Sequence, residues 1–178
     1  MHAPELIETD RLKFRLPHLG DAAVIFKLYA RDPAVTRFLS WRTHERIDET
    51  VAYLHDRVRA WTDGSALTYA LTLKDTGRLL GMIELRRDHG RMTLGYMLAQ
   101  MYWGKGYMTE AVQAATKWAL AQPRIHRLGA VCDAENFASQ GVLTRAGWTC
   151  EGTLRRWEIF PNLGDVARDC LSYSKVRE

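Results

Sequence analysis

With 178 residues the chain is long enough to bury one substantial core and short for two, so residues 1–178 are expected to form one domain. A composition of 47% hydrophobic and 26% charged residues excludes a disordered or membrane-embedded chain, and no run of roughly 18 apolar residues exists to cross a bilayer. The net charge of +4 favours an anionic ligand but is too small to establish nucleic-acid binding, so neither nucleic acid nor a membrane is expected as a partner. Cys132, Cys150 and Cys170 are an odd number without C-x-x-C spacing, which argues against a disulfide framework or a zinc site and makes them small core residues. Six scattered histidines form no H-E-x-x-H pattern, so no metal is expected. Met1-His2-Ala3-Pro4-Glu5 lacks the basic and apolar regions of a secretory signal, and the cytosol (a cytoplasmic location) is the expected compartment.

In chain order, Leu12-Lys13-Phe14-Arg15-Leu16 alternates and stops at Pro17, as a first strand would. Ala22, Ala23, Val24, Phe26 and Tyr29 mark a helix between Leu19 and Tyr29. Asp32-Pro33 reads as the cap and first position of a short helix reaching Phe38. Ile47, Val51, Leu54, Val58 and Trp61 form one apolar stripe on a longer helix ended by Asp63-Gly64; it is read as core-facing, with a groove or dimer contact as the alternatives. Leu67 to Lys74, Leu79 to Arg87 and Arg91 to Leu98 are joined by Asp- and Gly-containing turns and predict a three-stranded antiparallel meander.

The meander runs into Gln100-Met101-Tyr102-Trp103-Gly104-Lys105-Gly106-Tyr107-Met108, after which Met108, Ala111, Val112, Ala115, Trp118 and Ala119 recur at helical spacing until Gln122-Pro123. Two glycines at a strand-to-helix junction let a ligand approach main-chain N–H groups at the positive end of a helix, a ready site for a phosphate or pyrophosphate. They could equally just shape a tight corner. A buried strand, Leu128 to Cys132, follows and should pair in parallel through this crossover. Then come the polar loop Asp133 to Asn136, a short helix over Ala138 to Ala146 stopped by Gly147, a strand around Trp148 to Leu154, the loop Phe160 to Asp165, and a strand around Val166 to Ser174. The order predicts an α/β (α+β) fold: a mixed, mostly antiparallel sheet of about seven strands with helices on both faces.

The P-loop pattern is absent, and the dinucleotide pattern G-x-G-x-x-G fails because Thr109 holds its third glycine position. What remains resembles the acetyl-CoA site of the GNAT superfamily of N-acetyltransferases. Trp103-Gly104-Lys105-Gly106-Tyr107-Met108-Thr109-Glu110-Ala111 is similar to the W-G-x-G-Y-x-T-E-A run of its ribosomal-protein (RimJ/RimL-like) branch. Asn136-Phe137-Ala138-Ser139 matches N-x-x-S, Leu143-Thr144-Arg145-Ala146-Gly147-Trp148 with Glu151-Gly152 resembles L-x-x-x-G-F…E-G, and Thr9-Asp10-Arg11-Leu12 with Arg15 resembles the opening strand. Met101 departs from the usual Gln or Arg, and Thr144-Arg145 from the usual Glu-Lys.

This resemblance implies an acetyl-CoA-dependent N-acetyltransferase of the GNAT (acyl-CoA N-acyltransferase) fold that transfers acetyl directly to a primary amine, on a protein N-terminus or a small molecule. A catalytically inactive acyl-CoA-binding sensor module is the alternative. The partners implied are acetyl-CoA and an amine acceptor, and a homodimer is among the assemblies allowed. By the same resemblance, the pyrophosphate lies on N–H groups of Trp103, Gly104, Lys105, Gly106, Tyr107 and Met108, with Lys105 assisting by charge. Met97, Leu98 and Ala99 pair with the pantetheine arm, Asn136 bonds it from the other side, and Ser139 sits near the sulfur to protonate the thiolate. Without the resemblance, Asn136 reads as a helix cap and Ser139 as a first-turn residue. An N–H near Leu98 would stabilise the carbonyl oxygen. Glu84, expected on one strand face with Leu80 and Met82, is the first candidate base if apolar neighbours raise its pKa; taken by itself it reads more readily as a partner for a nearby arginine such as Arg86 or Arg87. Water or the Asp165 loop are the other bases, and Arg155 and Arg156 read as solvated surface or as holders of an acidic substrate.

Overall fold

The computed structural model of the chain describes residues 4–177; Met1, His2 and Ala3 of the leader reading lie outside the described residues. Its strands are β1 (Leu6–Glu8), β2 (Leu12–Arg15), β3 (Ala66–Leu73), β4 (Leu79–Asp88), β5 (Arg91–Leu98), β6 (Arg127–Asp133), β7 (Thr149–Glu158) and β8 (Arg168–Val176). They form one sheet in the order β1-β2-β3-β4-β5-β6-β8-β7. Every neighbouring pair is antiparallel except β5 with β6, which the crossover makes parallel as expected. The strand count is eight rather than about seven. The extra strand, β1, has three residues and no buried face of its own, so it carries no alternation to read; the Ile7–Phe14 pairing places it.

The helices lie on both faces. The first helical segment, residues 19–30, begins as a 3-10 turn (Leu19–Asp21), continues as α1 (Ala22–Ile25) and widens into five π-type residues (Phe26–Ala30). Helix α2 (Pro33–Thr36) starts as its sequence requires: Asp32 Oδ1 accepts from Ala34 N at 2.9 Å, and Pro33 sits where no donor is needed. With α3 (Ile47–Asp63), these helices bury Ile25, Tyr29 and Leu54 against Ala70 and Met82 of the sheet and Ala99 just past β5. On the opposite face, α4 (Tyr107–Leu120) and α5 (Phe137–Arg145) bury Met108, Ala111, Val112, Ala115, Ala119 and Leu143 against Ile83, Leu85, Leu94 and Leu128. The α3 stripe is core-facing only in part. Leu54 is buried, and Val51 and Trp61 are partly so, whereas Ile47 and Val58 stay 41% and 39% exposed. Of the cysteines, Cys132 and Cys170 are buried as expected, but Cys150 on the edge strand β7 is exposed.

Two local features of the central strands position the site. Leu71 pairs with Gly81 while Thr72 pairs with Leu79, which makes Leu80 the extra residue of a β-bulge. Leu80 therefore turns into the α4 core while Met82 and Glu84 face α3, and the expectation that all three share a face is corrected; period-two counting assumes an unbroken ladder. At Gly81, a Cβ would lie 2.1 Å from Met97 O, so β4 and β5 approach more closely there than any side chain permits. On the other edge of β5, pairing with β6 covers only Arg91–Thr93 against Arg127–Gly129. Beyond Thr93 the two strands run on unpaired and leave a gap.

Candidate active site

The turn after β5 is built to expose main chain. Ala99 N donates to Leu80 O, a 3-10 turn (Gln100–Tyr102) follows, and Trp103 N donates to Gln100 O at 3.0 Å. Trp103 N is thereby removed from the expected set of phosphate donors. Gly104 and Gly106 have φ of 72° and 77°, a region that only glycine enters at low cost. Gly106 is the N-cap of α4 and supplies no side chain to cap it. The N–H groups of Gly104, Lys105, Gly106, Tyr107, Met108 and Thr109 find no acceptor among the described residues. Six free donors at the positive end of a 14-residue helix form an anion cradle. A Cβ at Gly104 would meet nothing within 4 Å, so the cradle is open on that side.

Glu110 anchors the cradle. Its Oε1 accepts from Thr9 Oγ1 at 2.6 Å and Arg11 N at 3.0 Å, and its Oε2 accepts from Arg11 Nε at 2.6 Å. Arg11 Nη1 continues to Lys105 O at 3.0 Å, and its guanidinium lies 4.6 Å from the centre of the Tyr107 ring. Burial alone would raise the Glu110 carboxyl, but the bonds from Thr9 and Arg11 hold it below the usual carboxylate value. The sequence marked Thr9, Arg11 and Glu110 only as parts of motifs; the contact that joins them spans about a hundred residues and has no local signal. Lys105 is placed differently from the expectation. Its ammonium lies over the Tyr102 ring at 5.9 Å, and the residue does not line the cleft.

From the cradle, a cleft of about 1550 Å³ passes between the splayed ends of β5 and β6 to a recess under α2 and α3. Ala99 N is bonded to Leu80 O on β4, and strand alternation then turns Met97 toward β4 and Leu98 and Tyr96 toward the gap. Of the three residues expected to pair with a ligand, only Leu98 presents its N–H to the gap; Met97 faces β4, and Ala99 donates to Leu80 O and accepts from Tyr102 N. The Leu98 carbonyl is also engaged, by Trp103 Nε1 at 2.6 Å. Across the gap, Asn136 caps α5 through Oδ1, which accepts from Ser139 N at 3.1 Å. That is the capping role, and it leaves Nδ2 without a partner among the described residues in a side chain lining the cleft. Ser139 Oγ lies 2.7 Å from the Tyr96 hydroxyl, which also reaches Ser139 O at 3.2 Å. Burial raises the Tyr96 phenol well above its ordinary value and pushes the neighbouring Cys132 thiol up to about 11, so both are neutral near pH 7. Tyr96 was not anticipated; strand spacing alone does not show which residue across the gap it meets.

At the far end, Glu84 lines the recess but is fully engaged. Its Oε2 accepts from Arg57 Nη1 at 2.7 Å and Thr68 Oγ1 at 2.6 Å, and its Oε1 from Arg86 Nε at 2.5 Å. Burial by itself would raise this carboxyl; the Thr68 bond and the Arg86 and Arg57 charges outweigh it and lower the pKa. The raised pKa expected for a base is thus corrected, and the partner reading through Arg86 is the observed one. Asp165, Arg155 and Arg156 do not line the cleft; Trp157, Glu158 and Phe160 do. One residue of that loop has an unanticipated part. Asn162 Nδ2 donates to Thr36 O at 2.7 Å and Trp41 O at 2.8 Å, while its Oδ1 accepts from Thr43 N at 2.9 Å. It locks the loop between α2 and α3, which roofs the recess, to the β7–β8 loop.

The eight-stranded, mostly antiparallel sheet with helices on both faces is the fold of acetyltransferases of known structure. The family model described as the acetyltransferase (GNAT) domain matches residues 11–149, and the chain belongs to the GNAT acetyltransferase family. It is 30% identical to the [ribosomal protein uS5]-alanine N-acetyltransferase of Escherichia coli, covering 82% of this chain and 79% of that protein. It is 27% identical to the Bacillus subtilis protein YoaA, named as an N-acetyltransferase, over 97% of this chain and 98% of that one. Among solved structures, the microcin C7 self-immunity acetyltransferase MccE, in complex with acetyl-CoA and AMP, superposes with a TM-score of 0.88 at 24% identity and 98% coverage of both chains. RimL, a ribosomal L7/L12 α-N-protein acetyltransferase, superposes with a TM-score of 0.87 at 21% identity, covering 99% of this chain and 96% of that one. At these identities the superpositions establish the shared fold.

Proposed function

We propose that the protein is an acetyl-CoA-dependent N-acetyltransferase acting on a primary amine, with residues 1–178 forming one such domain. The observation that carries this reading is the row of six free N–H groups at residues 104–109, all but Lys105 on residues that line the cleft, beside the gap that the Leu98 N–H faces. An anion cradle followed by an unpaired strand edge suits a ligand with a pyrophosphate at one end and amides along its arm. Acetyl-CoA, when bound, supplies the acetyl group as a thioester and departs as a thiol.

The chain's own residues divide the remaining work. The N–H groups of residues 104–109 hold the pyrophosphate, with Arg11 adding charge beside them. Asn136 Nδ2 donates to the pantetheine arm. The Leu98 N–H is directed at the acyl oxygen, where negative charge develops during attack. The Ser139 hydroxyl, held by Tyr96, donates to the sulfur. The recess under α2 and α3 admits the amine, which has to arrive unprotonated. Glu84 is too firmly held as a carboxylate to serve as an effective base, and an α-amino group of pKa about 8 can lose its proton to water.

Calorimetry with acetyl-CoA, followed by thiol release against a panel of amines, tests this reading. Binding with release is expected; binding without release on any amine would favour a sensor, and no binding would overturn the placement of the cofactor. Gly106→Val should weaken acetyl-CoA binding at least about tenfold, because a β-branched side chain at φ 77° costs roughly 1–2 kcal/mol and crowds Arg11 Nη2, which lies 3.4 Å from the Cβ position. Unchanged affinity in this variant would refute the cradle.

A further inference from the structure

The recess beyond Leu98 carries an imbalance of charge and of hydrogen-bonding capacity, and it bears on the acceptor of the reaction proposed above, on which this inference rests. The Glu84 carboxylate is saturated by Arg57, Arg86 and Thr68, but the two guanidiniums are not saturated by it. Arg57 uses Nη1 alone; its Nε is buried without a hydrogen-bond partner, and no described residue accepts from its Nη2. Arg86 uses only Nε, and its side chain is 61% exposed toward the cleft it lines. Two guanidiniums against one carboxylate leave a local charge of +1.

The group is also rigid. Arg57 is held over the Tyr53 ring at 5.2 Å, and Glu84 is seated on a β-strand between Met82 and Arg86 on the same face. Planar N–H pairs fixed in this way suit the oxygens of a carboxylate or phosphate. The recess therefore presents an anion site that the protein leaves unfilled from its own side chains.

The register of β4 sets its distance from the reacting centre. Leu98 pairs with Gly81, and Glu84 lies three residues further along the strand. At roughly 3.3 Å per residue, Glu84 lies about 10 Å along β4 from the residue paired with Leu98, and this sets the scale of the separation between the anion site and the reacting centre. We propose that the natural acceptor is a primary amine carrying a carboxylate or phosphate about 10 Å from its nitrogen, held by Arg57 and Arg86. A free α-amino acid does not meet this condition, because a single carbon separates its nitrogen from its carboxylate. A small ω-amino acid meets it, and so does an extended peptide N-terminus with an acidic third residue.

The test measures acetyl-CoA-dependent thiol release with 8-aminooctanoate, its carboxamide and 3-aminopropanoate, and with Ala-Ala-Asp-amide beside Ala-Ala-Asn-amide. In at least one of the two matched pairs, acid against amide, kcat/KM for the acid should be higher by about tenfold or more, the factor supplied by one charge-assisted hydrogen bond. The long acid should exceed 3-aminopropanoate likewise. Which pair shows the effect distinguishes a small-molecule acceptor from a protein N-terminus. Arg86→Gln should erase the preference through the acceptor KM while the acetyl-CoA Kd stays as it is, and Arg86→Lys should restore part of it. Equal kcat/KM for acid and amide in both pairs would overturn the proposal. So would a preference that survives in Arg86→Gln, or acetyl-CoA binding without turnover of any anionic amine. Loss of acetyl-CoA binding in the unaltered protein is a separate result, read by calorimetry, and would overturn the acetyltransferase reading instead.

Discussion

Ser139 shows how much one side chain depends on neighbours that its motif does not contain. Its position in N-x-x-S was legible, and so was the capping of its N–H by Asn136. The hydroxyl that orients it, Tyr96 at 2.7 Å, comes from strand β5, 43 residues away. Ser139→Ala should lower kcat by about 10- to 100-fold, toward the lower end of what general acids contribute, because a thiolate of pKa about 8.5 is already a fair leaving group. The acetyl-CoA Kd should change less than about twofold; steady-state kinetics beside calorimetry make the comparison, and unchanged kcat would remove Ser139 from the reaction. Glu84 carries the opposite lesson. Its apolar strand neighbours pointed to a raised pKa, but Arg57 from α3 and Arg86 from its own strand reverse the sign. A residue's neighbours along the strand describe half of its surroundings; the helix packed on top supplies the rest.

At the scale of elements, the roof of the recess is held by a side chain with no sequence signature. Asn162 bonds Thr36 O, Trp41 O and Thr43 N, groups 119 to 126 residues away, and Phe160 beside it meets Phe38 edge-on with centroids 6.3 Å apart. Asn162→Ala leaves the Trp41 carbonyl and the Thr43 N–H without partners, while Thr36 O keeps its bond from Leu39 N, at a cost of about 1–3 kcal/mol. The acceptor KM should rise several-fold while the acetyl-CoA Kd is unchanged, since the cradle lies at the other end of the cleft; equal shifts in both would show that the loop supports the whole cleft. Helix starts and stops behaved differently. Asp32 caps α2, Gly64 follows α3 and Gly147 follows α5, as expected, because capping is settled within a few residues. The length of the apolar stripe on α3 that reaches the core was not readable, since it depends on how much sheet lies beneath it.

For the whole molecule, the decisive arrangement is that β5 is drawn tightly to β4 and parts from β6. Gly81→Ala would place a Cβ 2.1 Å from Met97 O and force the two strands apart. A loss of about 3 kcal/mol is expected, the upper range for overpacking, which for a chain of this length is a fall in Tm of roughly 6–12 °C. Acetyl-CoA affinity should fall with it, because Leu98 pairs with Gly81. Gly95→Ala is the control for stability: its Cβ would meet nothing within 4 Å, so scanning calorimetry should show a Tm near that of the unaltered chain.

The sequence by itself determined the order of elements, the parallel crossover from β5 to β6, the glycine turn at the start of α4 and the family to which these motifs belong. All of these rest on interactions between residues close along the chain, where spacing and side-chain type suffice. The bulge at Leu80, the turning of Leu98 rather than Met97 or Ala99 toward the gap, the clamp of Glu110 on Thr9 and Arg11, and the joining of Arg57 to Glu84 were decided only by the tertiary structure. Each of these is a meeting of strands or helices whose register no single segment encodes, and it is these meetings that turn a phosphate-binding corner into a cleft with a direction and an acceptor end.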